Sequence, residues 1–438
     1  MIALLRAAPS LVFRLPVRSP PIRGVRAGPP PSALRRSLAA STAEGVAAEV
    51  VGACCGGATL TGWALHLDCG PALIGILGAL PFLAQLVQLP AARLTARFGA
   101  RRVALVAVTL SRQAFLPLVL LPFLPVGPGA ARGVLLAAAA AHHVLGIACN
   151  NGWVAWMGEL VPGRVRGRYF GRRTAICTAA GAAAALAAGA LLDRAPGTPA
   201  LAALALVACA AGAASAVLMA RQHGGQPRPC AVREGTSFAA VLRAPAARRY
   251  VAFLVVSGAG AGLIVPFAGL YVLRDRALGF TFLSGYGTLS ALARIVSARR
   301  WGRLLDRDRG LRVAVVSSTA VLAASPLLWI ASAALGPWLL VGEAVSGGIA
   351  SAGAGVAGLA VPLALAPPAA RPAYHAVFAI SGGLAFAAGA VAAEPLARLV
   401  PGAAGLAGPF TAPFAASAAL RAAAVLLALR LAGGRAAA

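Results

Sequence analysis

Charged side chains are scarce in this chain, and those set in apolar sequence are the ones whose chemistry needs explaining. Glu343 has no other charged residue between Arg312 and Arg371. A carboxylate in such surroundings is costly unless it takes up a proton or meets a partner, which makes Glu343 a candidate for proton transfer or substrate contact. Glu49 lies about one turn inside the first apolar stretch, where it could carry a proton or receive a cationic group; Glu44, further out, reads as structural. His142 and His143 are adjacent, so on a helix they diverge by about 100° and are not expected to face one cavity together. No third ligand is spaced to complete a metal site with them. Asn150 and Trp153 share a helix face suited to a polar organic solute, with Asn151 beside them, and Trp156 fits an interfacial aromatic belt. Arg294, also within an apolar run, could grip a carboxylate or phosphate with two parallel hydrogen bonds.

Other chemistries find no support. The eleven acids and five histidines form no cluster of the kind that hydrolysis or metal catalysis needs, and there is no G-x-x-x-x-G-K-[ST] loop for ATP. The seven cysteines are scattered without a C-x-x-C pair and read as apolar packing residues. No catalytic residue, cofactor or metal is expected.

The elements that hold these residues follow from composition. Of the 438 residues 60% are hydrophobic and 11% charged, and the mean hydropathy is +0.82. Windows such as 69–92 and 133–158 hold no charge and are long enough to cross about 30 Å of hydrocarbon as helices. The alternation of a membrane barrel is missing, so the chain is an all-α polytopic membrane protein. Twelve apolar segments run from about 46–67 to about 409–430, which puts both termini on one side.

The net charge of +28 would suggest nucleic acid in a soluble protein, but its placement reports topology instead. Every basic residue is arginine, as mutational bias toward a GC-rich genome would produce. With the N-terminus inside, 31 of the 39 arginines fall on the inner side and five on the outer. The positive-inside rule then places both termini in the cytoplasm of a bacterial inner membrane. The proline-rich, acid-free stretch 1–43 is expected to be a disordered basic arm. A surface facing anionic lipid, a transit-peptide-like leader and sequence ahead of the true start stay open for it. Residues 221–249 form the long central loop, whose tail from Ser237 to Arg249 could lie on the membrane surface as a helix. The loop separates a six-helix half, 44–220, from a second, 250–438. "ARFGARRVALV" at 96–106 returns as "DRDRGLRVAVV" at 306–316, an offset of 210 that places one basic motif after the second helix of each half.

These features resemble the major facilitator superfamily, whose 2–3 and 8–9 loops carry G-x-x-x-D-R-x-G-R-[RK]. Gly302, Asp306 and Arg307 match in the second half, where Gly310 comes one residue late. Arg97, Gly99 and Arg101 match in the first, where Ala92, Ala96 and Ala100 depart from the motif. The stretch from Asn150 to Arg173 is similar to the fourth helix and 4–5 loop of bacterial members without an assigned substrate. The resemblance implies twelve helices in two pseudo-symmetric six-helix bundles that move a small organic solute by alternating access, with proton coupling open and a monomer expected. It also implies that spans 1, 4, 7 and 10 line the cavity and that Arg112 and Arg421 snorkel or pair between helices. A guanidinium near helix C-termini held by a nearby carboxylate in one state would make Asp306 with Arg307 a state-dependent latch. Gln85, Gln88, Ser257, Tyr374 and His375 are weaker candidates. The departures at Ala96 and Ala100 keep a second reading in view, a transporter-fold sensor or assembly factor.

Overall fold

The computed structural model describes residues 31–223, 238–305, 307, 309–367, 370–399 and 408–433. Among them the chain makes twelve helical passes, numbered here as spans. Span 1 is Pro31–Cys55 with Gly57–His66, span 2 is Pro71–Leu83 with Gln88–Phe98, and span 3 is Ala100–Gln113 with Leu116–Leu120. Spans 4, 5 and 6 are Pro128–Leu160, Gly163–Arg194 and Thr198–Ala220. Span 7 joins Pro245–Gly262 to Val265–Leu270 and a π-helical turn, Tyr271–Asp275. Spans 8 to 12 are Gly279–Leu305, Gly310–Leu335, Trp338–Leu365, Arg371–Leu399 and Thr411–Gly433.

Ten passes are single helices long and apolar enough to cross a membrane, and span 2 qualifies as a pair bent by 50°. The bend falls where Pro90 removes a backbone donor and a 3₁₀ turn, Ala84–Val87, replaces the α ladder. Span 8 is long enough, at 27 residues, but Arg294 and its glycine, serine and threonine residues leave it less apolar than the others.

Several helices outrun the apolar segments that announce them. Span 4 has 33 residues, about 50 Å at the helical rise, against roughly 30 Å of hydrocarbon. Hydropathy follows the bilayer, whereas the helix continues beyond it on backbone hydrogen bonds and snorkelling arginines. The basic arm expected over 1–43 is shorter for the same reason, since span 1 is already helical from Pro31 and residues 1–30 lie outside the described residues. The early turns are pinned: the His223 N–H donates to Ser37 Oγ at 2.9 Å, and Arg173 Nε donates to the Ser41 carbonyl at 3.1 Å. Of the central loop, 224–237 lies outside the described residues. Phe238–Arg243 is a short helix that buries Val241 completely in the second bundle.

The two basic loops each depend on a glycine. Gly99 turns the chain between spans 2 and 3 at φ +87°, a conformation open to glycine and strained for other residues. At the second loop the decisive glycine is Gly310, where a Cβ would sit 1.8 Å from the Leu304 carbonyl oxygen.

Packing differs between the two ends of the molecule. Toward the face with few arginines one buried cluster runs through both halves, joining Trp63, Leu135 and Leu204 to Phe267, Tyr271 and Trp329. Toward the arginine-rich face the core divides in two, Ala104, Trp156 and Met157 in the first half and Tyr250, Val315 and Phe378 in the second. A seam of small residues joins the halves from mid-membrane to the arginine-poor face. Across it Gly75 lies against the Ala390 carbonyl, Gly78 against Pro266 and Gly189 against the Phe280 carbonyl, and Phe82 stacks on Phe386 at 3.8 Å.

Candidate functional site

A cavity of about 600 Å³ lies between the halves, walled by spans 1, 2, 5, 7 and 8 and touched by span 4. Small residues dominate its wall, among them Gly52, Gly56, Ala182 and Ala291. Three of the charged or ionisable residues singled out from sequence meet here: Glu49 from span 1, His143 from span 4 and Arg294 from span 8. Glu49 rests over Gly181, where an added Cβ would come within 2.8 Å of Oε2. Both Glu49 and Arg294 are exposed to the cavity. Neither makes a hydrogen bond or an ion pair among the described residues.

The histidine pair divides. His143 faces the cavity, while His142 turns to span 3, its Nδ1 3.0 Å from the Ser111 carbonyl, with Ser111 Oγ donating to the His142 carbonyl at 2.9 Å. Asn150 and Trp153 line a separate space of about 170 Å³ inside the first half, together with Glu44, Arg112 and Arg173. Arg173 organises it, pairing with Glu44 at 3.1 Å and lying 4.5 Å over the Trp153 ring, while Ser215 Oγ donates to the other Glu44 oxygen. Asn151 lies elsewhere, its Nδ2 donating to the Gln88 carbonyl at 3.4 Å.

Glu343 stands behind the cavity wall. It is 4% exposed and accepts hydrogen bonds from Tyr286 Oη at 2.5 Å and Ser325 Oγ at 2.6 Å. Tyr286 itself reaches the cavity, so the carboxylate touches the solute space through a phenol. Arg421 does not snorkel: it is 8% exposed, donates to the Leu322 carbonyl at 2.8 Å and faces a second space of about 590 Å³ between the second half and span 2, shared with Gln85 and Ser257.

Of the loop residues, Arg101 has a definite task, donating from Nη2 to the Ala220 carbonyl at 2.9 Å. It thus caps the C-terminus of span 6, where the helix dipole is negative. Arg97 lies 5.2 Å over the Phe98 ring, Gly302 faces open space and Arg307 is exposed. Asp306 lies outside the described residues, and with it the latch expected with Arg307.

Asp193 escapes a sequence reading. It ends span 5, in the first half, and its two carboxylate oxygens accept the Phe280 and Thr281 N–H groups at 2.7 and 2.8 Å. A carboxylate of one half thereby caps the N-terminus of span 8 in the other. Only the fold brings residues 87 positions apart into this clasp. Because Asp193 is exposed to water, the clasp is worth about 1 kcal/mol, or about a fivefold population. In Asp193→Ala, a reporter cysteine introduced by Thr61→Cys should become about fivefold more reactive toward an impermeant maleimide added on the arginine-poor side. Unchanged reactivity would mean that the clasp does not hold that side closed.

Residues 54–390 match the Major Facilitator Superfamily. The chain belongs to this superfamily. As a major facilitator it is a multi-pass membrane transporter rather than an enzyme, and its two bundles are the two halves of that fold. Among solved structures, a mutant of the nucleoside transporter NupG superposes with a TM-score of 0.72 at 13% identity, over 91% of this chain and 99% of that one. A bacterial homologue of the iron transporter ferroportin in an inward-facing state gives 0.67 at 13% identity, over 92% and 99%. At that identity the likeness is one of fold. No curated protein matches the chain by sequence.

Proposed function

We propose that this major facilitator moves a small organic solute across a bacterial inner membrane by alternating access, through the cavity that holds Glu49, His143 and Arg294. The observation that carries the reading is the division of the core, continuous through both halves at one face and split between them at the other. Rocking that splits the shared cluster and joins the separate ones exchanges which face reaches the cavity. The arginine asymmetry supports a cytoplasmic arginine-rich face, with both termini on it. On that assignment the conformer described here is open inward. One chain encloses the cavity, which fits a monomer.

Glu49 and Glu343 are the groups proposed to couple flux to protons, Glu49 from within the cavity and Glu343 through Tyr286. The test is uptake into proteoliposomes over a solute panel that includes nucleosides, with and without a pH gradient. Solute flux is expected, and loss of its gradient response in Glu49→Gln or Glu343→Gln would assign the coupling group. An absence of flux for every solute would instead favour a sensor or assembly factor built on a transporter fold.

A further inference from the structure

We infer that the solute is a zwitterion with an apolar body, its cationic end received by Glu49 and its anionic end by Arg294. The inference rests on the transport reading above and adds the substrate class.

The argument begins with charge balance. The cavity wall carries one carboxylate and one guanidinium, on opposite halves, and the rest of the lining is mostly glycine, alanine and other apolar side chains. Elsewhere in the first half Arg173 is held by Glu44, the Ser41 carbonyl and the Trp153 ring, and the exposed Asp193 by two backbone donors, whereas the buried Nε of Arg112 has no hydrogen-bond partner among the described residues. Glu49 and Arg294 make no hydrogen bond or ion pair among the described residues, although they share one space and feel one another's charge. In the open conformer water solvates both. When the halves close over a solute that water leaves, and a charge without a partner in an apolar space is costly.

A solute's own charges decide which of the two is satisfied. A monoanion would neutralise Arg294 and leave Glu49 to be compensated by an added proton, a monocation would leave Arg294, and an uncharged solute would leave both; a zwitterion alone needs no further proton. A zwitterion compensates both ions at once, with a carboxylate able to take the guanidinium through two parallel hydrogen bonds. The small residues between them leave room for an apolar body, and a volume of about 600 Å³ suits a solute of drug-like size or smaller. The two charges sit on different halves, so a solute that bridges them also ties closure to its own presence. That bridging is the differential contact alternating access requires.

The experiment uses the full chain in proteoliposomes and four matched probes: leucine, N-acetyl-leucine, leucinamide and an uncharged N-acetyl-leucinamide, with phenylalanine and glycine betaine as further zwitterions. The parent protein should carry at least one zwitterion about tenfold better than its singly charged derivatives, a factor of one decade in transition-state affinity. Glu49→Gln should erase the preference for an ammonium and accept the N-acetyl probe as well as the parent zwitterion. Arg294→Gln should do the same for leucinamide. Such crossed changes in selectivity are not expected from a general loss of fold or turnover. Flux of singly charged or uncharged solutes without zwitterion flux, or a charge preference unmoved by either variant, would overturn the inference while leaving transport in place. No flux of any probe or panel solute would overturn the transport reading itself.

Discussion

Gly262→Val is expected to destabilise the folded protein by about 3 kcal/mol and to remove most homogeneous protein from detergent extracts of the membrane. Spans 7 and 11 meet backbone to backbone. A Cβ on Gly262 would lie 2.0 Å from the Phe386 carbonyl oxygen, one on Gly389 would lie 2.1 Å from that of Ala259, and one on Gly258 would lie 2.6 Å from that of Gly382. Gly258 and Gly262 form a G-x-x-x-G pair, and small residues at that spacing let helix axes approach closely in lipid, where hydrophobic burial does not drive helices together. The obstacle to a side chain is main chain on both sides, so no rotamer change relieves it and the spans must separate. Gly342→Val is the control, because a Cβ there meets nothing within 4 Å. Equal effects of the two substitutions on the monodisperse fraction in size-exclusion chromatography would show that the backbone contact does not matter.

Glu343→Ala is expected to cost a similar amount, about 3 kcal/mol, seen as a lower midpoint of thermal unfolding in detergent. The carboxylate is the acceptor for Tyr286 and Ser325. Its removal leaves the Tyr286 and Ser325 hydroxyls without this acceptor, and the buried guanidinium of Arg421, which feels the Glu343 charge, with only the Leu322 carbonyl. Glu343→Gln should fall between parent and alanine, since an amide oxygen still accepts a hydrogen bond but carries no charge. Removing the charge at both positions, Glu343→Leu with Arg421→Leu, should recover part of the loss, because the double variant no longer buries a guanidinium deprived of the nearby carboxylate charge. A double variant as unstable as the sum of its single variants would mean that the two residues are energetically independent.

Much of the fold was legible because membrane insertion imposes it on composition: apolar runs mark spans. The ends of spans were less legible. Pro31 and Gly163 begin their helices well outside the apolar runs, where the helix no longer needs lipid and hydropathy has nothing to say. In the site, Glu49, His143 and Arg294 could be found because a charge or imidazole in an apolar run is conspicuous. Glu343 was conspicuous for the same reason, but its setting behind Tyr286 depends on how spans 8, 9 and 10 pack, which no local pattern encodes. Asp193 beside Arg194 looks like any polar helix end. Its part in joining the halves exists only once span 5 stands against the start of span 8, and Gly181 gains its meaning only from the glutamate above it.

The small-residue seam between the halves has a consequence for the speed of the cycle. Side chains that interdigitate must be frozen on every closure and released on every opening, at an entropic cost that is near zero for glycine, alanine and proline and largest for long flexible residues. Gly75, Gly78, Gly189, Pro266 and Ala390 meet across this seam largely through backbone atoms. Beside the Phe82–Phe386 stack and the Phe267 and Phe280 rings against Gly75 and Gly62, then, these small-residue positions add few rotamers to order when the halves part and rejoin. The closing step is accordingly expected to carry a small conformational-entropy penalty, and bulkier seam residues should slow the return of the empty carrier before they weaken its hold on solute.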